Sequence, residues 1–167
     1  ELLEWNKKLN NVDFVALRYF NVAGDGGLGY IDYESKNIFN AILKVLNKKE
    51  KHFKIFGDNY NTKDGTGVRD YIHINDLIDA HIKAINIKGS HIINLGSQKG
   101  YSVLEVIKEF EKILNKKISC KIIEKRKGDV AVSIASYNKA KNILKWRPKM
   151  GLDEMVRSTL KAYRIIK

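Results

Sequence analysis

The chain has 167 residues, with 31 lysines and arginines against 19 aspartates and glutamates, a formal net charge of +12 and 44% hydrophobic residues. That length fits one domain or a piece of a larger protein, and lets the chain bury roughly two-thirds of its unfolded surface. No apolar run approaches the ~20 residues that cross a bilayer, no basic-then-apolar leader is seen, and the lone Cys120 makes no internal disulfide; a cytoplasmic protein with a buried thiol is the expectation.

The opening ELLEWNKKL has the spacing of an amphipathic helix. VDFVALRYFNVAG (12–24) is a β-branched and aromatic run, so a buried strand, and it feeds a glycine-rich loop over 25–36. Apolar residues at 38, 39, 42, 43, 45 and 46 mark a helix over 37–49. A short strand at 53–57 leads to a long polar loop, after which VRDYIHI (68–74) alternates as a strand and 75–85 reads as a helix capped by Asn75. HIINLGS (91–97) is a further strand, and Ser102 with Glu105 has capping-box spacing for the helix that follows. ISCKIIEK (118–125) is a strand ending in the basic turn RKGD, and two helices, about 136–146 and 152–166, complete the pattern around Trp146 and Pro148. Strands alternating with helices predict an α/β or α+β fold with parallel pairing.

The positive charge raises the question of nucleic acid. The lysines are spread along the whole chain, and no zinc-ligand spacing, recognition helix or aromatic stacking motif accompanies them. A lysine-rich solvated surface is the expectation, with a non-catalytic basic module as the rival of another class. KDGTGVRDYIH (63–73) is more specific. A turn needs only one glycine; two before an arginine imply a tight bend or a close approach to something.

Taken in order, LRYFNVAG, IFGDNYNTKDGTGVRDYIHINDLIDAH, INLGS with YSVLEVI, and KRKGDVAVSIAS with KAKNILKWRP resemble the C-terminal half of the UDP-glucose/UDP-galactose 4-epimerases, extended short-chain dehydrogenases/reductases. The resemblance implies an α/β fold: the C-terminal half of a Rossmann-like NAD-binding enzyme with a smaller mixed α/β substrate domain. Residues of about 1–24 and 68–100 then belong to the Rossmann sheet, and about 25–67 and 101–167 to the nucleotide-sugar domain. The family's NAD-binding glycine turn has no counterpart here, and no acid/base Tyr-x-x-x-Lys pair is identified. The chain is therefore expected to start just past the catalytic residues, to hold none of them, and to be inactive alone. The implied reaction is interconversion of UDP-galactose and UDP-glucose, extending to the N-acetyl forms, by NAD-mediated hydride transfer at C4. The implied partners are a UDP-sugar and a second subunit, with no nucleic acid, membrane or metal. A nucleotide-sugar dehydratase or decarboxylase is the nearer rival.

The resemblance assigns roles residue by residue. Arg69 meets the diphosphate through its planar fork of donors; the plain alternative is a salt bridge with Asp70. In KRKGD, Arg126 meets the diphosphate and Asp129 the ribose hydroxyls, with Lys127 and Gly128 forming the turn between them. Lys125 stands where many relatives have arginine. Asn21 bonds the substrate near its phosphate–sugar linkage, and Phe20 lies beside the nicotinamide ribose. Asn37 and Ile38 open a helix whose amides suit a phosphate, unless Asn37 is simply a cap. Lys54, Ile55 and Phe56 form the strand edge that reads uracil. Ser133, four residues after Asp129, is small enough to admit an N-acetyl group. His73, Asp76 and His81 read as structural.

Overall fold

The computed structural model describes residues 1–29 and 37–167, so part of the expected 25–36 loop lies outside the described residues. In chain order the elements are α1 (Leu2–Asn10), β1 (Val15–Tyr19), β2 (Asn21–Ala23), α2 (Ile38–Leu46), β3 (Phe53–Phe56), β4 (Val68–His73), α3 (Ile74–Ala84), β5 (His91–Leu95), β6 (Gly100–Ser102), α4 (Val103–Leu114), β7 (Cys120–Ile123), β8 (Val132–Ser133), α5 (Asn138–Ile143) and α6 (Leu152–Ala162). The architecture is mixed α/β, and all strand pairs but one are parallel: β1 with β5, β2 with β4, β3 with β7 and β4 with β8, while β6 runs antiparallel to β4.

The run 12–24 is two strands rather than one. The chain changes partner at Phe20, whose N–H donates to Leu95 O at 3.1 Å: β1 lies on β5, and β2 moves to β4. β6 was not foreseen, because Gly-Tyr-Ser is too short to show a period. The capping box of α4 forms as its spacing predicts, with Ser102 Oγ accepting from Glu105 N at 3.0 Å and Glu105 Oε2 from Ser102 N at 2.8 Å. The cap of α3 differs from expectation. His73, not Asn75, is the cap residue, and its Nδ1 accepts from Asn75 N at 3.1 Å.

Two apolar clusters hold the elements that follow α1. The larger joins Phe39, Ile42 and Leu43 of α2 to Ile55 of β3, Phe110 of α4 and Val156 of α6. The smaller surrounds Trp146 with Ile72, Leu77, Ile93, Leu95 and Leu144. Trp146 is fully buried, and its indole N–H donates to Asp76 O at 2.9 Å. The Asp76 carboxylate accepts from the N–H groups of Lys149 and Met150, each at 2.9 Å, which is the structural role expected of it. Cys120 is not the buried thiol expected from its apolar neighbours. It opens the outer strand β7, where it is exposed and Ile122 is also exposed.

Candidate functional site

The loop before β4 explains the paired glycines. Gly65 has φ +78°, and a Cβ there would lie 1.9 Å from the Asp58 carbonyl oxygen, so conformation and space both require glycine. Gly67 has no such strain. A Cβ on it would lie 3.4 Å from Arg69 Nη1, so its bare backbone passes beside the guanidinium. Asp64, between the two halves of the loop, accepts from Thr66 N at 3.0 Å, Thr66 Oγ1 at 2.7 Å and Ser102 Oγ at 2.5 Å. Burial opposes its ionisation, but the bonds from Ser102 and Thr66 outweigh burial and hold the carboxyl below its ordinary pKa. The loop is thereby tied to the cap of α4.

Arg69 emerges from this loop at the start of β4. Its Nη1 donates to Val68 O at 2.8 Å, and its Nη2 pairs with Asp129 Oδ1. The alternative partner, Asp70, is elsewhere: it is fully buried and accepts from Ser97 N at 2.8 Å, Gln98 N at 3.0 Å and Ala135 N at 3.1 Å. A strand alternates its side chains, so neighbours 69 and 70 serve opposite faces. Asp70 still reaches the site through its backbone, since Asn21 Nδ2 donates to Asp70 O at 2.8 Å.

Arg69, Asp129 and Asn21 line a cleft of about 240 Å³. Asn37, Ile38, Lys54, Phe56 and Arg126 line it as well, so eight of the predicted residues converge from five chain segments. Asn37 caps α2, accepting from Asn40 N at 2.8 Å, so the plain capping role holds while the residue also faces the cleft. The pleat of β3 turns Lys54 and Phe56 toward the cleft side and buries Ile55 in the core. The guanidinium of Arg126 stacks 3.6 Å from the centre of the Phe56 ring. Lys125 Nζ lies 4.1 Å from the centre of the Tyr60 ring and donates to Asn59 O at 3.0 Å, so it supports the loop rather than the cleft.

Five predicted residues do not line the cleft. Ile55 is in the core, Phe20 is half-buried at the β1–β2 junction, and Lys127 and Gly128 stand at the exposed tip of their turn. Ser133 sits on β8 in register with Arg69, beside the cleft rather than in its wall.

Residues missed by sequence reasoning complete the site. Tyr60 and Tyr71 both line it. The Tyr60 hydroxyl donates to Asp129 Oδ2 at 3.4 Å, and burial, then the Asp129 charge, push its pKa up. Tyr71 is pushed up to about 12 by burial. Tyr-x-x-x-Lys spacings, which the sequence reading did not identify, do occur, at Tyr163 with Lys167, neither of which lines the cleft, and at Tyr137 with Lys141. Tyr137 packs edge-on against Trp146 with ring centres 6.1 Å apart, and neither residue lines the cleft. Among the described residues no group of His, Cys, Asp and Glu converges as a metal site, and no helix is long and apolar enough to cross a membrane.

Two guanidiniums, a helix start, aromatic faces and one carboxylate in a single cleft suit a ligand that combines phosphates with a planar ring and hydroxyls. Comparison with known proteins agrees with that chemistry. The sequence model of the GDP-mannose 4,6 dehydratase family matches residues 2–159, and the chain belongs to that family of extended short-chain dehydrogenases/reductases. Its relatives are more particular. UDP-glucose 4-epimerase of Bacillus subtilis is 42% identical over 154 residues, covering 87% of this chain and 45% of the relative. The fold matches crystal structures of UDP-glucose 4-epimerases from Stenotrophomonas maltophila, with NAD and formylated UDP-arabinopyranose, and from Bifidobacterium longum, with NAD and UDP. Their TM-scores are 0.90 and 0.86, at 34% and 36% identity, covering 98% and 97% of this chain and 51% and 50% of theirs. The chain thus spans about half the length of the relatives it matches.

Proposed function

We propose that this chain is the UDP-sugar-anchoring part of a UDP-glucose 4-epimerase, which interconverts UDP-galactose and UDP-glucose by hydride transfer at C4. The observation that carries the reading is the convergence of Arg69, Arg126 and the start of α2 on one cleft beside β3, which among the described strands pairs only with β7. The guanidiniums and helix amides neutralise the diphosphate, Asp129 accepts the ribose hydroxyls, and the backbone of β3 pairs with uracil. Anchoring by the nucleotide leaves the sugar able to turn over between the two hydride transfers.

NAD would supply the redox chemistry. The residues present do not by themselves fit it: the G-x-G-x-x-G spacing at Gly24–Gly29 follows β2, but α2 begins only at Ile38 and the N–H groups of Gly27 and Gly29 donate to the Asp25 carboxylate, so no step is assigned through the cofactor here. In this reading residues of about 1–24 and 68–100 serve the cofactor sheet, with Phe20 at the nicotinamide side, and about 25–67 and 101–167 serve the sugar nucleotide. Ser133, small and in register with Arg69, leaves room for an N-acetyl group, and the whole enzyme works as a cytoplasmic homodimer. The dehydratase reading shares the fold and part of the anchor, but the relatives' names favour the epimerase.

Calorimetric titration of the chain with UDP tests the anchor, with duplex DNA as the comparison. Saturable UDP binding at a 1:1 ratio, unaffected by DNA, is expected. A chain that binds DNA and not UDP is the basic module instead.

A further inference from the structure

We propose that the ion pair between Arg69 and Asp129 is a plug, and that it makes the cleft demand a phosphate and a sugar hydroxyl on the same molecule. The inference rests on the nucleotide-anchoring reading but goes beyond it, because it concerns which anions the cleft discriminates against. The two side chains come from β4 and from the 126–129 turn, 60 residues apart, and they meet inside the cleft wall. Both are partly withdrawn from water, with 22% and 31% of their side-chain surfaces exposed. Tyr60 donates to the second oxygen of Asp129, and Val68 O takes the remaining fork of Arg69. One N–H on each terminal nitrogen of the phosphate-binding guanidinium is therefore already engaged from within.

The consequence is a coincidence rule. A bare polyphosphate at Arg69 either displaces Asp129, leaving that carboxylate with only its bonds from Tyr60 and Val130 beside a new anion, or shares the guanidinium with it at the cost of like-charge repulsion. A nucleoside diphosphate breaks the same pair but offers Asp129 a donor in exchange, the ribose hydroxyl. The pair therefore costs inorganic anions affinity and costs the nucleotide little, so abundant phosphate and pyrophosphate are kept from the anchor.

The test is a calorimetric titration of the wild-type chain, Asp129→Ala and Glu50→Gln with pyrophosphate, UDP and 2′,3′-dideoxy-UDP. Glu50 lines the adjoining hollow next to Arg126 but makes no contact with Arg69, so its loss reports the general effect of removing a nearby negative charge. Asp129→Ala should bind pyrophosphate about tenfold more tightly than wild type, the scale of one charge-assisted hydrogen bond released, whereas Glu50→Gln should change it less than about threefold. Removing the ribose hydroxyls should weaken binding to wild type and leave Asp129→Ala indifferent. Pyrophosphate affinity unchanged in Asp129→Ala, or raised equally in Glu50→Gln, overturns the plug while UDP binding to wild type keeps the anchor. Absence of UDP binding to wild type overturns both.

Discussion

The two sides of this molecule are finished to different degrees. On the cleft side, α2, α4 and α6 close a core under β3 and β4, and the loop before β4 is tied down by Asp64, Thr66 and Ser102. On the other side, α1 buries none of its residues, β1 is paired with β5 alone among the described strands, and Leu2, Trp5 and Ile85 are 87%, 62% and 78% exposed. The cleft side is stabilised by contacts within the chain, and the other side leaves much apolar surface in water. The cleft is therefore held by contacts within this chain, whereas the β1 face lacks a cover among the described residues. Each prediction below tests one side of that contrast.

The largest effect is expected at the joint between the two. Trp146 fills the smaller cluster and donates to Asp76 O, and Asp76 in turn holds the 149–150 backbone. Trp146→Ala should cost about 3–5 kcal/mol, the range for removing a buried aromatic side chain. Urea unfolding measures it. A loss under about 1 kcal/mol would mean that the β1 side contributes little to the fold.

Next comes the cleft. Arg69→Ala should weaken UDP binding by about 1.5–3 kcal/mol, as expected for a hydrogen bond to a charged group, with little change in the urea midpoint, because the guanidinium serves the cleft rather than the core. Calorimetry with UDP checks it, and unchanged affinity would make Arg69 a purely structural partner of Asp129.

What the sequence made legible follows the same division. Strongly patterned elements were readable: the apolar face of α2, the capping box of α4, and the alternation of β4. Arg69, Arg126 and Asp129 were placed by the family resemblance, since read alone they pass for a surface salt bridge and a basic turn, and the cleft gathers all three. The break at Phe20 was not, since it depends on where β4 and β5 lie in space and not on local pattern. Tyr71 was missed because an aromatic residue within a strand reads first as core, and Tyr60 because it lies in a long polar loop. The bonds made by Asp70 to residues 97, 98 and 135 depend on three loops meeting, which no spacing along the chain reveals.

A smaller effect is expected from acid. His73 is buried between α3 and α6, with Nε2 3.0 Å from Ser158 Oγ, and burial lowers its pKa below the usual value although Asp76 and other carboxylates oppose this. The unfolded chain takes up a proton near pH 6.5, where the folded imidazole stays neutral. The contribution of His73 is therefore complete above that pH and is lost as pH falls through it. Urea midpoints at about pH 8 and about pH 5.5 should differ less in His73→Asn, which keeps a capping acceptor without the titration. An equal drop in both proteins would exclude His73 as the cause.

The smallest effect on folding, and the sharpest test of the contrast, lies at Trp5. Its side chain stands on the exposed face of α1 near Leu2 and Leu9, and α1 packs none of its residues into either cluster. Trp5→Ser should therefore change stability by less than about 0.5 kcal/mol, the usual range for surface positions away from packed contacts. Its effect should appear in association instead. An apolar face left in water favours contact between copies, so the wild-type chain should sediment with a concentration-dependent mass and the Trp5→Ser chain should shift toward monomer, with UDP binding the same in both. If the variant lost several kcal/mol of stability, α1 would be part of the core after all. If its mass matched wild type at every concentration, the exposed face would not be where copies meet.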